Sequence, residues 1–350
     1  MTEDVKGAWP LARERKLRRK WRRTGAPGAL GATAVDSSSG PEEACHQGAA
    51  LQFQEVVRRY GTHVALDHLD LAVAAGETVA LLGPNGAGKS TTISLLLGLL
   101  RPHAGVVRVL GMSPRQAMAL GRVGAMLQQG TGNGLPPGVR VDAAVRLVSR
   151  LYPDPAPLDV TIERTGIGPL LGRQTHRLSG GEAQRVRFAI AIAGNPEVIF
   201  LDEPTAAMDV AARRSFWEIT RQLGREGHTV LFATHHFDEA DHADRVVVVN
   251  HGQVVADGPG ATLRAAVATR RVRFVVDQPD ERVLDSLEGV TDIEVRGTGV
   301  VLNTLDADAS VKDLVRKGVS FRDLEVTGAR LEEAFMALTR GGPVPKGGPT

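Results

Sequence analysis

The chain has 350 residues, 42% of them hydrophobic, with 42 Lys and Arg against 40 Asp and Glu for a net charge of +2. It can bury a sizeable core and is long for one ordinary domain, while aromatics at 4% argue against a stacking surface for single-stranded nucleic acid. No run of eighteen apolar residues occurs, so nothing here spans a membrane as a helix, and the single cysteine, Cys45, excludes an intrachain disulfide and fits a reducing cytosol.

Residues 1–50 differ from the rest. Arg13 to Arg23 reads RERKLRRKWRR, followed by a Gly-, Ala- and Ser-rich stretch to about Ala50. The segment reads as a disordered basic tail. It lacks the apolar core of a secretory signal, and its Trp9, Leu11, Leu17 and Trp21 among the basic residues suit either a solvated tail or contact with an anionic membrane surface.

The first chemical signal follows. Gly83-Pro84-Asn85-Gly86-Ala87-Gly88-Lys89-Ser90 lies between an apolar run, Val79 to Leu82, and a helix-like segment, Ser90 to Leu100, with Ile93, Leu96, Leu97 and Leu100 at helical spacing. Strand, G-x-x-x-x-G-K-S loop and helix in that order are the setting of a phosphate-cradling P-loop. The glycines let successive backbone N–H groups face inward, and the helix adds its positive N-terminal end. Lys89 is placed to reach the β- and γ-phosphates, and the Ser90 hydroxyl to hold Mg²⁺.

A short strand-like run, Val123 to Leu127, precedes Gln128 and Gln129, and a Gly- and Pro-rich loop leads into a helical region reaching His176. Ser179, Gly180 and Gly181 then open a helix whose Val186, Ala189, Ile190 and Ala193 mark a buried face, a second anion-binding helix start. The run Val198 to Leu201 ends in Asp202 and Glu203. A strand of that type delivers both carboxylates to the edge of a parallel sheet, where ligands of open α/β folds bind. Asp202 suits Mg²⁺ and Glu203 suits a general base for an attacking water. A second apolar strand, Thr229 to Ala233, presents His235. His236, His228, His242 and His251 lie nearby, yet no set with zinc-site spacing is legible among them, and they read as surface residues.

Beyond Arg270, Arg271 to Val276, Asp292 to Arg296, Gly299 to Asn303 and Ser320 to Val326 alternate like strands, and Glu281 to Leu287 and Ala309 to Lys317 read as amphipathic helices. The order βαββαβ predicts a small ferredoxin-like unit. Leu331, Ala334, Phe335 and Leu338 form an apolar helix stripe suited to core packing, and residues 341–350 read as a disordered tail.

The ordered set of P-loop, Arg177-Leu178-Ser179-Gly180-Gly181-Glu182, Asp202-Glu203-Pro204-Thr205 and Thr234-His235 resembles the ATP-binding cassette (ABC) ATPases over roughly Leu51 to Gly258. The resemblance implies an α/β P-loop NTPase core with an antiparallel β subdomain and an α-helical subdomain, here with the small C-terminal α+β extension. It places the tail at 1–50, the ATPase domain at 51–265 with its helical subdomain about 130–177, and the extension at 270–340.

Several residue roles rest on the resemblance alone. Tyr60 corresponds to an aromatic that stacks on adenine, with core packing as the alternative, and the nucleotide set runs on through Thr91. Gln128 corresponds to the glutamine that senses Mg²⁺ and the attacking water, and His235 to the histidine contacting the γ-phosphate. Ser179, Gly180, Gly181, Glu182 and Asp209 would meet the ATP of an opposite subunit in a head-to-tail dimer, a homodimer in the simplest form. Ala207 and Met208 stand where members more often carry Gly and Leu. The run Gly134 to Val141 and the closing Leu-Glu-Glu-Ala-Phe are similar to ABC-2 type and daunorubicin-resistance-type export ATPases. They imply ATP and Mg²⁺ as cofactors, a separately encoded membrane permease as partner, residence at the cytoplasmic face of the plasma membrane, and no nucleic-acid partner. An importer subunit and a soluble ABC ATPase acting on ribosomes or nucleic acid are the competing readings.

Overall fold

The computed structural model describes residues 48–128, 134–265 (the backbone alone at 265), 270–328 and 335. The basic N-terminal segment, Gln129, and the C-terminal stripe apart from Phe335 lie outside the described residues. Three sheets carry the remaining chain. Strands β1 (Ala49–Tyr60), β2 (His63–Ala74) and β4 (Ala104–Val109) form an antiparallel sheet in the order β2-β1-β4. The central sheet has the order β5-β6-β7-β3-β8-β9, built from β3 (Thr78–Leu82), β5 (Val123–Met126), β6 (Val198–Asp202), β7 (Thr229–Thr234), β8 (Arg245–Asn250) and β9 (Gln253–Gly258). Its first five strands are parallel and β9 runs antiparallel to β8.

Alternation along these strands explains why they read as unbroken apolar runs. Val79, Leu81, Val198, Phe200, Leu231, Ala233, Val247 and Val249 face one core, shared with the antiparallel sheet and with α1 (Lys89–Leu96). Their neighbours Ala80, Leu82, Ile199, Leu201, Val230, Phe232, Val246 and Val248 face a second core, completed by Phe216 and Trp217 of α6 (Val210–Arg225). Both faces are covered, so both sets of side chains must be apolar. The P-loop helix is shorter than expected: α1 caps at Leu97, and Gly98 with φ 66° turns the chain away.

After α2 (Pro114–Ala119) and β5, the segment from 134 to 178 folds as α3 (Val141–Ser149), α4 (Leu158–Thr165) and two 3₁₀ turns, with a separate core of Leu135, Val141, Val145, Ile167 and Leu170. The helix α5 (Gly180–Ile192) bridges this core and the central one. Val186, Ala189 and Ala193 enter the former, while Phe188, Ala191 and Ile192 enter the latter. The helix is therefore buried nearly all round rather than on the single face its spacing suggested, and Ile190 is only half-buried.

After α7 (Phe237–Ala240) and α8 (Gly260–Ala265), the last described region runs β10 (Arg270–Val275), α9 (Glu281–Asp285), β11 (Val290–Arg296), β12 (Gly299–Thr304), α10 (Ala307–Arg316) and β13 (Arg322–Gly328). The strand order β11-β12-β10-β13, antiparallel throughout, is the ferredoxin-like arrangement the pattern predicted, around Phe274, Leu284, Leu302 and Leu314. Phe335 packs edge-on against Phe237 at 5.6 Å.

One close approach joins α5 to the sheet. A Cβ at Gly124 of β5 would fall 2.0 Å from the Ala191 carbonyl and 2.8 Å from Pro196. Gly124→Ala is expected to cost about 1–3 kcal/mol through overpacking, measured as a lowered midpoint in urea unfolding; an unchanged midpoint would refute this tight contact.

Candidate nucleotide and metal site

The C-terminal ends of β3, β6 and β7 deliver the site. Beyond Leu82 the chain curls through residues 83–88, with Gly86 at φ 84° and Gly88 at φ 107°, a region costly for residues bearing a Cβ. A Cβ at Gly83 would lie 2.1 Å from the Val249 carbonyl, so the loop can only be seated with glycine there. Lys89 is buried, and its Nζ donates to the carbonyls of Gly83 at 2.7 Å and Pro84 at 3.0 Å. Burial pulls its pKa below the usual lysine range, and the charges of Glu203 and Asp202 oppose that pull.

Asp202 closes β6 and is 4% exposed. Burial pushes its pKa up; the Ser90 hydroxyl opposes this by hydrogen bonding, the Glu203 charge adds to it, and Lys89 and a Gln128 backbone hydrogen bond oppose it again. Its Oδ1 is buried with no hydrogen-bond partner. An orphaned carboxylate oxygen costs several kcal/mol or changes its protonation unless a cation meets it. With the Ser90 hydroxyl and Gln128 beside it, the donor set is all oxygen, the chemistry of a hard divalent ion. These residues fit Mg²⁺.

Glu203, the next residue, is buried and sits at φ 47°, a strained setting for a glutamate of the kind that collects at functional sites. Its N–H donates to the Ala233 carbonyl at 2.9 Å, and its Oε1 lies 2.7 Å from His235 Nδ1. Tyr60, Asn85, Gly86, Gly88, Lys89, Ser90, Thr91, Gln128 and Glu203 line one open cleft of ≈ 390 Å³. The Tyr60 ring, 45% exposed and with the Arg58 guanidinium 4.9 Å from its centre, is surface and not core.

The remaining expected residues stand elsewhere. Ser179 caps α5 and forms a reciprocal box with Glu182: the Glu182 N–H donates to Ser179 Oγ at 3.3 Å, and Ser179 N–H to Glu182 Oε2 at 2.8 Å. Arg173 Nη1 donates to the same carboxylate at 2.6 Å. Glu182 is thus committed to its own helix. Gly180 and Gly181 pack on Ala207, the latter so closely that a Cβ would lie 3.0 Å from the Ala207 carbonyl. Asp209 caps α6, accepting from Ala212 N–H at 2.8 Å. None of these five lines the cleft.

Two connectors escaped the sequence reading. Arg187, buried in α5, donates through Nη1 to Gln184 Oε1 at 2.6 Å and through Nη2 to the Leu127 carbonyl, while Gln184 Nε2 donates to the Pro204 carbonyl at 3.1 Å. In a helix that also carries Glu182, Gln184 and Arg185, its charge gave no signal of its own. Glu239, 2% exposed, accepts from Thr205 Oγ1 and, at 2.6 Å, from Thr234 Oγ1, which itself accepts from His236 N–H at 2.9 Å. Nothing in its spacing marked it.

Sheet, loop and carboxylates together define a P-loop ATPase cassette. The ABC transporter family profile matches residues 66–206. The chain is 33% identical over 315 residues to the daunorubicin/doxorubicin resistance ATP-binding protein DrrA of Streptomyces peucetius, spanning 83% of this chain and 92% of that protein. It is also 33% identical over 302 residues to the Nod factor export ATP-binding protein I of Neorhizobium galegae, spanning 83% and 85%. The chain belongs to the ABC transporter family, as an ATPase cassette. Among solved structures, cbiO1 from Clostridium perfringens, part of the complex cbiONQ, superposes with a TM-score of 0.55 at 28% identity, covering 62% of this chain and 91% of that one. The dimeric bacterial cassette MJ0796 gives 0.55 at 24% identity, covering 60% and 98%. No helix among the described residues is long and apolar enough to cross a membrane.

Glu239→Ala removes the acceptor of two buried hydroxyls. A loss of about 3 kcal/mol is expected in urea unfolding, with a smaller loss for Glu239→Gln, which keeps one acceptor oxygen; equal stability of the three proteins would refute the network.

Proposed function

We propose that this chain is the ATP-hydrolysing subunit of an ABC-2 type exporter, working as a head-to-tail dimer at the cytoplasmic face of the plasma membrane. It would drive efflux of a drug, antibiotic or lipid-like compound through a separately encoded permease. The observation that carries the ATPase chemistry is the junction of Lys89, Asp202 and Glu203, two buried carboxylates and a buried ammonium, with His235 bonded to the second carboxylate. Export is supported by the two relatives whose names specify drug resistance and Nod factor export, and by the four-stranded C-terminal sheet. In this reading the cassette occupies residues 51–265 and the extension 270–340.

The catalytic sequence follows from the side chains. Tyr60 stacks on the adenine, backbone N–H groups of residues 85–91 surround the phosphates, and Lys89 exchanges its two loop carbonyls for phosphate oxygens. Ser90, Asp202 and Gln128 would hold Mg²⁺, which would supply neutralisation of the phosphate charge. Glu203 accepts a proton from the attacking water as its oxygen bonds to the γ-phosphorus and the bond to the bridging oxygen breaks, releasing ADP and phosphate. His235 holds Glu203 in place through Nδ1 and offers its other ring nitrogen to the γ-phosphate. The start of α5, at Ser179 to Gly181, closes on the nucleotide of the opposite subunit, with Asp209 near that seam. Closure with ATP and reopening after hydrolysis is ordering by phosphate.

Glu203→Gln is expected to bind ATP yet lose on the order of 10² or more in turnover; normal turnover would remove the assignment of the base. Lys89→Ala should instead weaken ATP binding itself, and unchanged affinity would count against the loop's role. Tagged Glu203→Gln protein purified from native membranes with ATP and Mg²⁺ is expected to retain a multi-span membrane protein. Recovery of ribosomes or nucleic acid with no membrane protein would overturn the exporter reading.

A further inference from the structure

His236 takes no part in the chemistry above, yet its ring stands beside that of His235, centre to centre 4.0 Å and tilted 38°. Each of Glu203, His235 and His236 offers one ligand atom, and the three atoms lie within 4.8 Å of one another. We propose that Glu203, His235 and His236 form a binding site for a borderline-soft divalent cation of the zinc class, and that its occupancy arrests ATP hydrolysis.

The donor set is the first argument. Two imidazole nitrogens and one carboxylate oxygen, with a fourth position left to water, suit Zn²⁺, whose bonds to such atoms run about 2.0–2.2 Å. Tetrahedral geometry then asks for ligand atoms roughly 3.3 Å apart, between the 2.7 Å of the His235–Glu203 pair and the 4.8 Å span of the triad. Side-chain rotation therefore suffices to close it. Mg²⁺ does not compete for this set, because it takes oxygen ligands and sheds water reluctantly, whereas imidazole selects zinc-like ions. The Mg²⁺ position, with its all-oxygen donors at Ser90 and Asp202, is a different place with different chemistry.

Access and support are the second. Both histidine rings are exposed while Glu203 is buried, so an ion enters from solvent and meets the carboxylate at the base of the site. The turn carrying the histidines is pinned, since His236 N–H donates to Thr234 Oγ1 and that hydroxyl donates to Glu239, the kind of outer support that fixes ligand orientation. The nearby charges are the Lys89 ammonium, which disfavours a cation, and the carboxylates of Glu203 and Asp202, which outnumber it.

The consequence rests on the role proposed for Glu203. A carboxylate bonded to a divalent ion no longer accepts a proton from water, and His235 bound to the same ion cannot turn to a phosphate. The sequence spacing hid the set because its carboxylate lies 32 residues from His235 and joins it only through the pairing of β6 with β7.

The test uses the full chain without nucleotide, titrated with Zn²⁺ by calorimetry and with Co²⁺ by visible absorption, followed by turnover with Mg²⁺-ATP at increasing Zn²⁺. One ion per chain is expected with a tetrahedral Co²⁺ spectrum. Affinity should be at least about tenfold weaker in His236→Ala, His236→Asn and Glu203→Gln, as removal of one of three ligands implies. Zinc inhibition, each rate taken relative to the same variant's zinc-free rate, should weaken in parallel in both His236 variants. Absent binding, or binding that neither His236 variant alters, overturns the site, and binding without inhibition overturns its effect on hydrolysis. A chain with no zinc-free ATPase activity but intact ion binding would instead sink the function proposed above while leaving the site standing.

Discussion

The site depends on keeping unlike charges buried without letting them neutralise one another. Lys89, Asp202 and Glu203 all lie below one tenth exposure, and isolated charges in such surroundings are expensive. The chain meets part of the cost internally. The ammonium rests on two loop carbonyls and Glu203 on His235. The Asp202 Oδ1 is left unmatched. What remains is a set of incomplete bonds aimed at one anion and one cation, so a ligand bringing phosphate and a divalent metal together satisfies all of it at once. Either alone satisfies only part.

The parallel sheet makes that arrangement possible. Because β3, β6 and β7 run the same way and are paired in register, Leu82 beside Thr234 and Asp202 beside Ala233, their C-terminal ends open on one edge. Both faces of the sheet are sealed by apolar cores, leaving that edge as the place where polar side chains from three strands can converge. An antiparallel sheet would have sent neighbouring ends to opposite sides. The left-handed backbone at Glu203 is the local consequence: the residue after Asp202 must turn sharply to aim its carboxylate at the same edge.

This physics explains what was legible in the sequence. Runs such as Val198 to Leu201 announce doubly covered parallel strands, and the glycines of residues 83–88 announce a loop whose backbone is its function, so core and cleft could be drawn from the letters. The C-terminal alternation likewise yielded its strand order, since a βαββαβ pattern leaves few ways to cover one sheet face. Contacts made by tertiary pairing alone stayed hidden. Glu239 binds hydroxyls at Thr205 and Thr234 that become neighbours once β6 and β7 pair, and His236 gains significance only beside Glu203. The helix α5 misled for a related reason: a one-sided stripe was expected, but two cores grip it from opposite sides.

That double grip gives α5 a mechanical role. Its start carries the glycines at Ala207, and its interior carries Arg187, whose guanidinium holds the Leu127 carbonyl one residue before Gln128. Through Gln184 the same pair reaches the Pro204 carbonyl, beside Glu203. These are polar links within a largely buried part of the molecule, where hydrogen bonds are electrostatically stronger than in water. The backbone at Leu127 and the turn after Glu203 are therefore both bonded to α5, which itself packs on the core of Val141, Val145, Ile167 and Leu170. The helix thus ties the backbone beside Gln128 and the turn after Glu203 to the core of the helical region.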